Sequence, residues 1–436
     1  MVIDMKNYTL KHKDKNILYF TMNGQEISDT AINKDAVRYL PLPLKRIIHN
    51  MDEFIKQPEE ETYFVLNEEG NFLVDNWLSD REIPLSRDNY NAYIKKGSTA
   101  RQWMLENNAM SFTDCYWVEK EEDNLTWKDI CQKLNGVDHF VNVQDENRHY
   151  KGTNATLGGQ LEKFWYKEND TLKLCKKNEP LYDILSAREL IASLIYERQG
   201  LIKDKDFCKY EFVLNSYNQP VGVSCNAFTD ALNADKNIEL ITVYDLLEEY
   251  NLTQQESVYD LIPVLTSKYG FDEKKAYDYL DIQTMVDFLI LNRDRHQGNI
   301  AFLRDADTLT IESAAPIFDS GSCKMLEAEY TENLFLRTKV NGLYNTDGEC
   351  LSHVKNINLL DISKLPDTDE LMAILNKCEN ISEVRKKKLI DMYKNKINYL
   401  LDLQRTQGKS NISKGKNILS DKLKDIVADD IMIDKD

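Results

Sequence analysis

The stretch "NRDRHQGNIAFL", residues 292–303, constrains the fold of this chain more than any other. It follows "DEKKAYDYLDIQTMVDFLILN", whose apolar residues recur with helical spacing, so the polar cluster stands at the end of a predicted helix. Within it, Asp294 and Asn299 are five residues apart, and Gly298 permits a tight loop. A later segment, "APIFDSG", brings Asp319 to the end of an apolar run after a predicted hairpin. The two segments are therefore expected to meet and to gather two carboxylates and one amide.

These side chains suit phosphoryl transfer. That reaction needs a carboxylate to orient the attacking hydroxyl, and an amide oxygen and a second carboxylate to hold magnesium on the phosphates. Asp294 and Asn299 have the spacing of the Asp and Asn in a kinase catalytic loop. Asp319 has the character of the metal-binding Asp-Phe-Gly segment, with Phe318 before the acid instead of after it. The pattern predicts one magnesium–phosphate site at Asp294, Asn299 and Asp319.

Around these segments the sequence predicts an α+β chain with three regions and a tail. Residues 1–145 are expected to form a mixed α/β accessory domain without catalytic spacing, in which "TYFVLNEEGNFLV" (62–74) has strand character. Residues 146–245 read in the order strand, strand, helix, strand, strand, and residues 246–408 are mainly helical. Residues 409–436 are polar and weakly patterned, which indicates a mobile or amphipathic tail.

The composition of the chain limits the partners that it is expected to bind. Lys and Arg number 55 against 73 Asp and Glu, for a net charge of −18, which argues against broad nucleic-acid binding because such binding neutralises phosphates with cations. No apolar run approaches the ~20 residues of a membrane span, and the first residues lack a secretory pattern. Eight cysteines are scattered without a CxxC pair, which disfavours a zinc site. A cytoplasmic protein that does not bind membranes is expected.

Three segments together resemble the HipA-like Ser/Thr protein kinases: "NRDRHQGN", "APIFDSG" and the upstream "TLGGQLEK". The resemblance covers roughly residues 146–400. It implies a bilobal protein-kinase-like fold, with a β-rich N-lobe at 146–245 and an α-helical C-lobe at 246–408. It also implies transfer of the ATP γ-phosphate to a protein hydroxyl, with ATP and Mg²⁺ as cofactors. A protein substrate is expected, and a regulatory or antitoxin protein is a further partner that the family suggests.

The resemblance assigns roles by position. Asp294 corresponds to the catalytic base, and Asn299 and Asp319 correspond to the magnesium ligands. His296 is expected to stay neutral and to orient the loop by hydrogen bonding. The turn that covers the nucleotide phosphates corresponds to three residues: Gly158, Gly159 and Lys163. A plain hairpin turn is the alternative interpretation of the glycine pair.

The ATP-anchoring lysine of the family ends the next strand, and two residues compete for this role. Lys176 shares a strand face with Leu172 and Leu174, which favours it. Lys173 is the alternative. The partner carboxylate should lie on the following helix, where Glu189 is the candidate.

A helical wheel places Glu189 opposite the apolar residues of its helix, so it faces the sheet only if small neighbours allow a close approach. The regulation known in the family implies autophosphorylation near the glycine turn, at Thr153 or Thr156.

Other interpretations of the same residues remain open at the level of sequence. Asp294 between Arg293 and Arg295 could be a solvated helix end with surface ion pairs. "DRHQGN" is also similar to the catalytic loop of phosphoinositide kinases, which makes a lipid kinase the alternative enzyme. A nucleotide-binding pseudokinase that regulates a partner through residues 1–145 is the alternative from another class. The long N-terminal region is unlike a short antitoxin-docking segment, so the family's toxin–antitoxin role does not transfer simply.

Overall fold

The protein is described from a computed structural model. The structure describes residues 5–56, 62–87, 90–94, 97–135, 161–169, 171–178, 183–229, 238–321, 336 and 339–407. Its named strands form three sheets, all with antiparallel pairing, and helices surround them. The chain is therefore a mixed α/β protein of the expected α+β class. No helix in the described part of the chain combines the length and the apolar character that crossing a bilayer requires.

Five strands form the first sheet: β1 (Met5–His12), β2 (Lys15–Asn23), β3 (Glu26–Asn33), β4 (Tyr63–Val65) and β5 (Tyr116–Lys120). Their order is β4-β3-β2-β1-β5. Six helices accompany this sheet: α1 (Leu42–His49), α2 (Met51–Phe54), α3 (Glu68–Asp80), α4 (Tyr90–Tyr93), α5 (Ala100–Glu106) and α6 (Trp127–Asn135). Side chains alternate between buried and partly buried along much of β1 and β2, so one face of the sheet covers a core.

The strands expected on either side of a Gly-containing turn in residues 62–74 are only partly correct. Strand β4 ends at Val65, and the remainder belongs to helix α3. The side chain of Asn67 accepts a hydrogen bond from the Gly70 backbone N–H at 2.9 Å, which caps the helix. A Cβ on Gly70 would lie 2.7 Å from the Phe54 carbonyl oxygen, so glycine lets the helix pack closely. The cap therefore favours a helix in a segment whose apolar residues suit a strand as well as a helix.

The second sheet has four strands: β6 (Lys163–Glu168), β7 (Thr171–Lys177), β8 (Glu211–Leu214) and β9 (Pro220–Asn226). The order is β6-β7-β9-β8, and helix α7 (Ile184–Arg198) lies between β7 and β8 in the chain. From β6 to β9 the structure shows the expected order of strand, strand, helix, strand, strand, and one further strand follows before residue 245. A Cβ on Gly222 would lie 2.3 Å from the Lys176 carbonyl oxygen, so β9 needs glycine where it pairs with the end of β7.

The third sheet contains β10 (Ile238–Thr242), β11 (Ala301–Asp305) and β12 (Ile311–Ala314), in that order. Six helices complete the described chain: α8 (Val243–Glu248), α9 (Val258–Lys268), α10 (Glu273–Ile290), α11 (Asp347–Ser352), α12 (Thr368–Leu375) and α13 (Glu383–Gln407). Because β10 pairs with β11, this sheet spans the boundary expected at residue 245.

The largest core gathers buried side chains of α7, α9 and α10 with those of the later helices. It includes Ile195 of α7 and Met285 and Leu289 of α10, all fully buried. Helix α10 is buried over much of its circumference. Its C-terminal end, where the polar loop begins, is therefore fixed by packing on several sides.

Candidate active site

The end of helix α10 sets the course of the polar loop. Leu291 adopts a left-handed backbone conformation with φ of 58°, and the Asn292 backbone N–H donates to the Asp287 carbonyl oxygen at 2.8 Å. The Asn292 side chain then accepts a hydrogen bond from the Asp294 backbone N–H at 3.1 Å. The Asn299 side chain donates to the Asp294 carbonyl oxygen at 2.8 Å. The backbone of Asp294 is therefore held on both sides by asparagine side chains.

Arg295 connects this loop to the segment that carries Asp319. Its guanidinium, which is buried, donates to both carboxylate oxygens of Asp287, at 2.7 and 3.1 Å. It also donates to the backbone carbonyl oxygens of Asn299 and Phe318, and to the Ser320 hydroxyl at 2.9 Å. A solvated helix end with surface ion pairs does not describe this arginine. One guanidinium instead fixes the two predicted segments against each other.

A buried ion cluster joins three elements at Lys176. The Lys176 ammonium of β7 lies 2.8 Å from Glu189 Oε1 on α7 and 2.6 Å from Asp319 Oδ1. The second oxygen of Glu189, Oε2, accepts a hydrogen bond from the Ser320 backbone N–H at 3.0 Å. The ammonium also lies 4.9 Å from the centre of the Tyr210 ring. The structure thus brings together Lys176, Glu189 and Asp319, three of the residues proposed from sequence.

The charges of this cluster are mutually stabilised. Burial alone would lower the pKa of Lys176, but the carboxylates of Asp319 and Glu189 raise that pKa well above its usual range. Burial would likewise raise the pKa of Asp319, but the Lys176 charge holds it well below its usual range. Lys176 and Asp319 therefore both carry their charges at neutral pH.

Close packing around Asp319 explains the small residues that follow it. Asp319 has a left-handed backbone with φ of 54°, which turns the chain sharply. A Cβ on Gly321 would lie 2.5 Å from the Leu185 carbonyl oxygen and 2.6 Å from Glu189 Cγ. Glycine is thus needed where this segment crosses α7. The Asp-Ser-Gly sequence, which suggested a metal-binding segment, therefore also reflects the close packing of Gly321 against α7.

Lys163 begins β6 directly opposite Lys176 in the sheet register. The pKa of Lys163 is lowered to about 8, mainly by burial and also by the nearby charges of Lys176 and Arg87, although the Asp319 carboxylate opposes this shift. Arg87 comes from the N-terminal region and had no predicted role. The expected phosphate-loop glycines, Gly158 and Gly159, lie outside the described residues, as do Thr153 and Thr156.

The two competing lysines occupy different places. Lys173 pairs with Glu168, a partly exposed residue of the neighbouring strand, and lines a polar groove elsewhere on the sheet. Only Lys176 of the two reaches Glu189 and Asp319. Of the two lysines, Lys176 is therefore the one that contacts the carboxylate expected on the following helix.

The His296 side chain makes a hydrogen bond within the polar loop that follows α10. Its Nδ1 accepts a hydrogen bond from the Gly298 backbone N–H at 3.1 Å, so this nitrogen carries no proton. The contact agrees with an orienting role for His296. Sequence reasoning missed Asp287, Arg295 and Asn341, whose side chain donates to Asp294 Oδ1 at 2.7 Å. Asp287 left a readable signal, since an acid among the apolar residues of "MVDFLIL" needs a buried partner.

The donor set agrees with a magnesium–nucleotide site. No cluster of three or more His, Cys, Asp or Glu side chains suited to a metal ion occurs in the described part of the chain. Magnesium needs few protein ligands, because it keeps several waters and also binds phosphate oxygens. The Asn299 amide uses its nitrogen to hold Asp294, which leaves its oxygen end for a hard cation. Asp319 contacts Lys176 through Oδ1, which leaves Oδ2 for the same purpose.

Comparison with known proteins adds one relative. The chain matches no family model. It is similar to the serine/threonine-protein kinase CtkA of Helicobacter pylori (strain J99), with 24% identity over 184 residues. These are 41% of this chain and 54% of the relative, so the chain spans about half the length of the curated relative that it matches. The similarity is therefore to part of a Ser/Thr protein kinase, and the HipA-like resemblance stays a prediction.

Among solved structures, the crystal structure of a Helicobacter pylori proinflammatory kinase CtkA is similar, with a TM-score of 0.41 and 19% sequence identity. The match covers 62% of this chain and 97% of that chain.

Proposed function

We propose that this chain is an ATP- and Mg²⁺-dependent Ser/Thr protein kinase of the HipA-like type, which transfers the γ-phosphate of ATP to a protein hydroxyl. The observation that carries the proposal is the buried cluster of Lys176, Glu189 and Asp319, which Arg295 joins to the loop of Asp294. Protein kinases require a strand lysine paired with a helix glutamate, together with a metal-binding aspartate. The similarity to part of a Ser/Thr kinase supports the same conclusion.

The residues divide the work as follows in this proposal. Lys176 steadies the nucleotide phosphates, and Glu189 keeps its ammonium in place. Asp294 orients the acceptor hydroxyl and takes its proton. Asn299 and Asp319 would hold Mg²⁺, which neutralises charge on the phosphates when it is bound. Most of the rate acceleration would come from holding the two reactants in line, because the transition state of this reaction is loose.

The test is phosphate transfer with mapping of the product. Purified protein is incubated with Mg²⁺, labelled ATP and a generic protein substrate, and the phosphorylated residues are identified. Asp294→Asn should lose transfer by at least about 100-fold while it still binds ATP, since the change removes the base and keeps the shape. Asp391→Asn, at an exposed position of α13, is the matched control and should retain activity. Undiminished transfer in Asp294→Asn would place the chemistry elsewhere.

Autophosphorylation near the glycine turn is part of the proposal. A phosphate on Thr153 or Thr156 would add about −1.5 to −2 charges beside the nucleotide phosphates and should weaken ATP binding. Thr156→Glu is the variant to test, and Thr156→Val is the control without added charge. ATP bound by Thr156→Glu as tightly as by the wild type contradicts this regulation.

A lipid kinase is the second candidate, because "DRHQGN" is also similar to the catalytic loop of phosphoinositide kinases. The net charge of −18 counts against binding to an anionic membrane surface. The same transfer assay separates the two candidates when phosphoinositide vesicles replace the protein substrate. Label in the lipid, with none in protein, would favour the lipid kinase.

A further inference from the structure

Asn341 contacts the candidate catalytic carboxylate from outside the catalytic loop. Its side-chain Nδ2 donates to Asp294 Oδ1 at 2.7 Å, across 47 positions of sequence. Its backbone N–H donates to the Arg293 carbonyl oxygen at 2.7 Å. Two hydrogen bonds therefore fix Asn341 on the loop that carries Asp294, one through the backbone and one through the side chain.

A short turn, residues 339–346, holds Asn341 in this place. The Val340 backbone N–H donates to the Asn345 carbonyl oxygen at 2.9 Å, and Lys339 and Thr346 form an antiparallel bridge. The Arg293 side chain donates to the Lys339 carbonyl oxygen at 2.7 Å. The 339–346 turn is thus closed on itself and attached to the catalytic loop.

The 339–346 turn is also anchored to the helical core. Thr346 caps helix α11, accepting a hydrogen bond from the Glu349 backbone N–H at 3.2 Å. Asp347, the first residue of α11, lies 3.1 Å from the ammonium of Lys396 on α13, and Lys396 is fully buried. The position of Asn341 is consequently set by the packing of two helices that lie outside the loop.

Asp294 is held at three points, and Asn341 supplies the one that acts on the carboxylate. Asn292 and Asn299 hold the backbone N–H and carbonyl of Asp294. A hydrogen bond to Oδ1 fixes the rotation of the carboxylate, which leaves Oδ2 to meet an acceptor hydroxyl. Orientation of this kind lowers the barrier only when the reacting groups are held close to their productive geometry.

We infer that Asn341 is a positioning residue for Asp294, and that Asn341 borders the place where the acceptor hydroxyl binds. The inference rests on the proposed kinase function. Asn341 is exposed, so an acceptor segment can reach it from solvent. The turn begins 20 positions after Asp319. The acceptor side of the site therefore belongs to the stretch of chain that follows the predicted magnesium ligand.

Three variants test the inference in the full-length chain: Asn341→Ala, Asn341→Asp and Asn345→Ala. Asn345 is the matched control, an exposed asparagine that takes part in the same turn through its backbone carbonyl. At saturating Mg-ATP, Asn341→Ala should slow phosphate transfer by about 10- to 100-fold, with the KM for ATP unchanged. Asn345→Ala should transfer phosphate at the wild-type rate.

Asn341→Asp is the sharper variant. It keeps the shape of the side chain but places a second carboxyl group where the amide nitrogen lay 2.7 Å from Asp294 Oδ1. A carboxylate at this position cannot donate to Asp294 Oδ1 and repels it, so it disturbs the orientation of Asp294 more than a missing side chain does. The expected order of activity is wild type, then Asn341→Ala, then Asn341→Asp. A merely structural role would reverse the two variants, because Asp fills the space of Asn and Ala does not.

The outcomes separate the two proposals. Wild-type rates in both Asn341 variants, or an equal loss in Asn341→Ala and Asn345→Ala, overturn the positioning role and leave the kinase proposal standing. The reversed order of Asn341→Asp above Asn341→Ala also overturns it. A wild-type chain that binds Mg-ATP but transfers no phosphate to any acceptor overturns the kinase proposal, and this inference with it.

Discussion

At the scale of single residues, the candidate site depends on one ammonium between two carboxylates. Lys176 is 6% exposed and Glu189 is 3% exposed, so neither charge is well hydrated. Removing the ammonium would leave the buried Glu189 and the partly buried Asp319 beside each other without the charge that separates them. Breaking a buried ion pair by removing one partner costs about 3–5 kcal/mol, because the remaining charge stays desolvated.

We therefore predict that Lys176→Met lowers the free energy of unfolding by about 3 kcal/mol. Lys173→Met, on the same strand, should change it by less than about 1 kcal/mol, because its partner Glu168 is exposed to solvent. Urea denaturation at neutral pH measures both. The double variant Lys176→Met with Glu189→Gln should recover part of the loss. Equal destabilisation by the two lysine variants would show that the cluster does not matter for stability.

Lys163 gives a prediction about pH. Because its pKa is about 8, Lys163 is protonated below that pH and neutral above it. Nucleotide phosphates would favour the charged form, so binding takes up a proton above pH 8 and ATP affinity falls as the pH rises from 7 to 9. Calorimetry in buffers with different ionisation enthalpies measures both quantities. Lys163→Arg should flatten the dependence, since arginine stays charged. An unchanged slope in that variant would exclude Lys163 from the phosphate site.

At the scale of elements, helix α7 is tied to the C-terminal region at both ends. Near its start, Asp183 Oδ2 accepts a hydrogen bond from the Asn380 backbone N–H at 3.0 Å. At its end, the Gln199 side chain donates to the Asp361 carbonyl at 3.0 Å and accepts from the Asp361 N–H at 2.7 Å. The helix that carries Glu189 is therefore held in place by the helical part of the molecule.

The next prediction concerns Gly321, where the segment that follows Asp319 packs against helix α7. In Gly321→Ala the new Cβ would lie 2.5 Å from the Leu185 carbonyl oxygen, which belongs to the helix backbone and cannot turn aside. The helix or the segment must shift, at a cost of about 1–3 kcal/mol. Phosphate transfer should fall in parallel, because the shift separates Glu189 from Lys176. Gly342→Ala, whose Cβ would meet nothing closer than 3.4 Å, is the control for stability.

The elements that could be predicted from the sequence are those whose pattern is local. The β6–β7 and β8–β9 hairpins have polar turns between alternating strands, and α10 has a long apolar period, so all three were predicted. Helix α3 was missed because three consecutive apolar residues, Phe72 to Val74, suit a strand as well as a helix. The Asn67 cap, which decides the matter, was present in the sequence as Asn followed by two acids.

The candidate site was predicted less completely, for a physical reason. Arg293 and Arg295 look alike in sequence, and only the packing of Asp287 beneath the loop distinguishes the buried one. Glu189 was placed opposite the apolar face of its helix, but α7 is buried on most of its sides, so a single face does not describe it. Asn341 reaches Asp294 through a tertiary contact that no local pattern records.

At the scale of the whole molecule, the N-terminal region is joined to the rest by a buried polar network around Glu239 of β10. His12 Nε2 lies 3.0 Å from Glu239 Oε1, which also accepts from the Cys115 backbone N–H at 3.1 Å. Arg304 of β11 donates to Glu239 Oε2 at 2.7 Å. All three charged or polar side chains are at most 2% exposed. The Glu239 carboxylate thus links the first and third sheets, together with other polar contacts such as Lys13–Asp307 and the apolar contacts around Trp117.

Glu239 should make the stability of the whole chain depend on pH in a defined way. Burial alone would raise the pKa of Glu239, but Arg304 and His12 outweigh it and hold that pKa well below its usual value of 4.5. A carboxyl group whose pKa is lower in the folded state stabilises fully above its unfolded pKa and loses that stabilisation as the pH falls. We predict that the wild type loses more free energy of unfolding between pH 6 and pH 3 than Glu239→Gln does.

Urea denaturation of both proteins across that range, followed by tryptophan fluorescence and by circular dichroism, measures the difference. At pH 6, Glu239→Gln should already be less stable by about 3 kcal/mol, because Arg304 keeps its charge without a charged partner. Glu312→Gln, at an exposed position of β12, should follow the wild-type curve. If Glu239 joins the sheets as described, both probes should report one transition in the wild type. Identical pH dependence in the wild type and Glu239→Gln would mean that the Glu239 carboxylate does not set the pH dependence of stability.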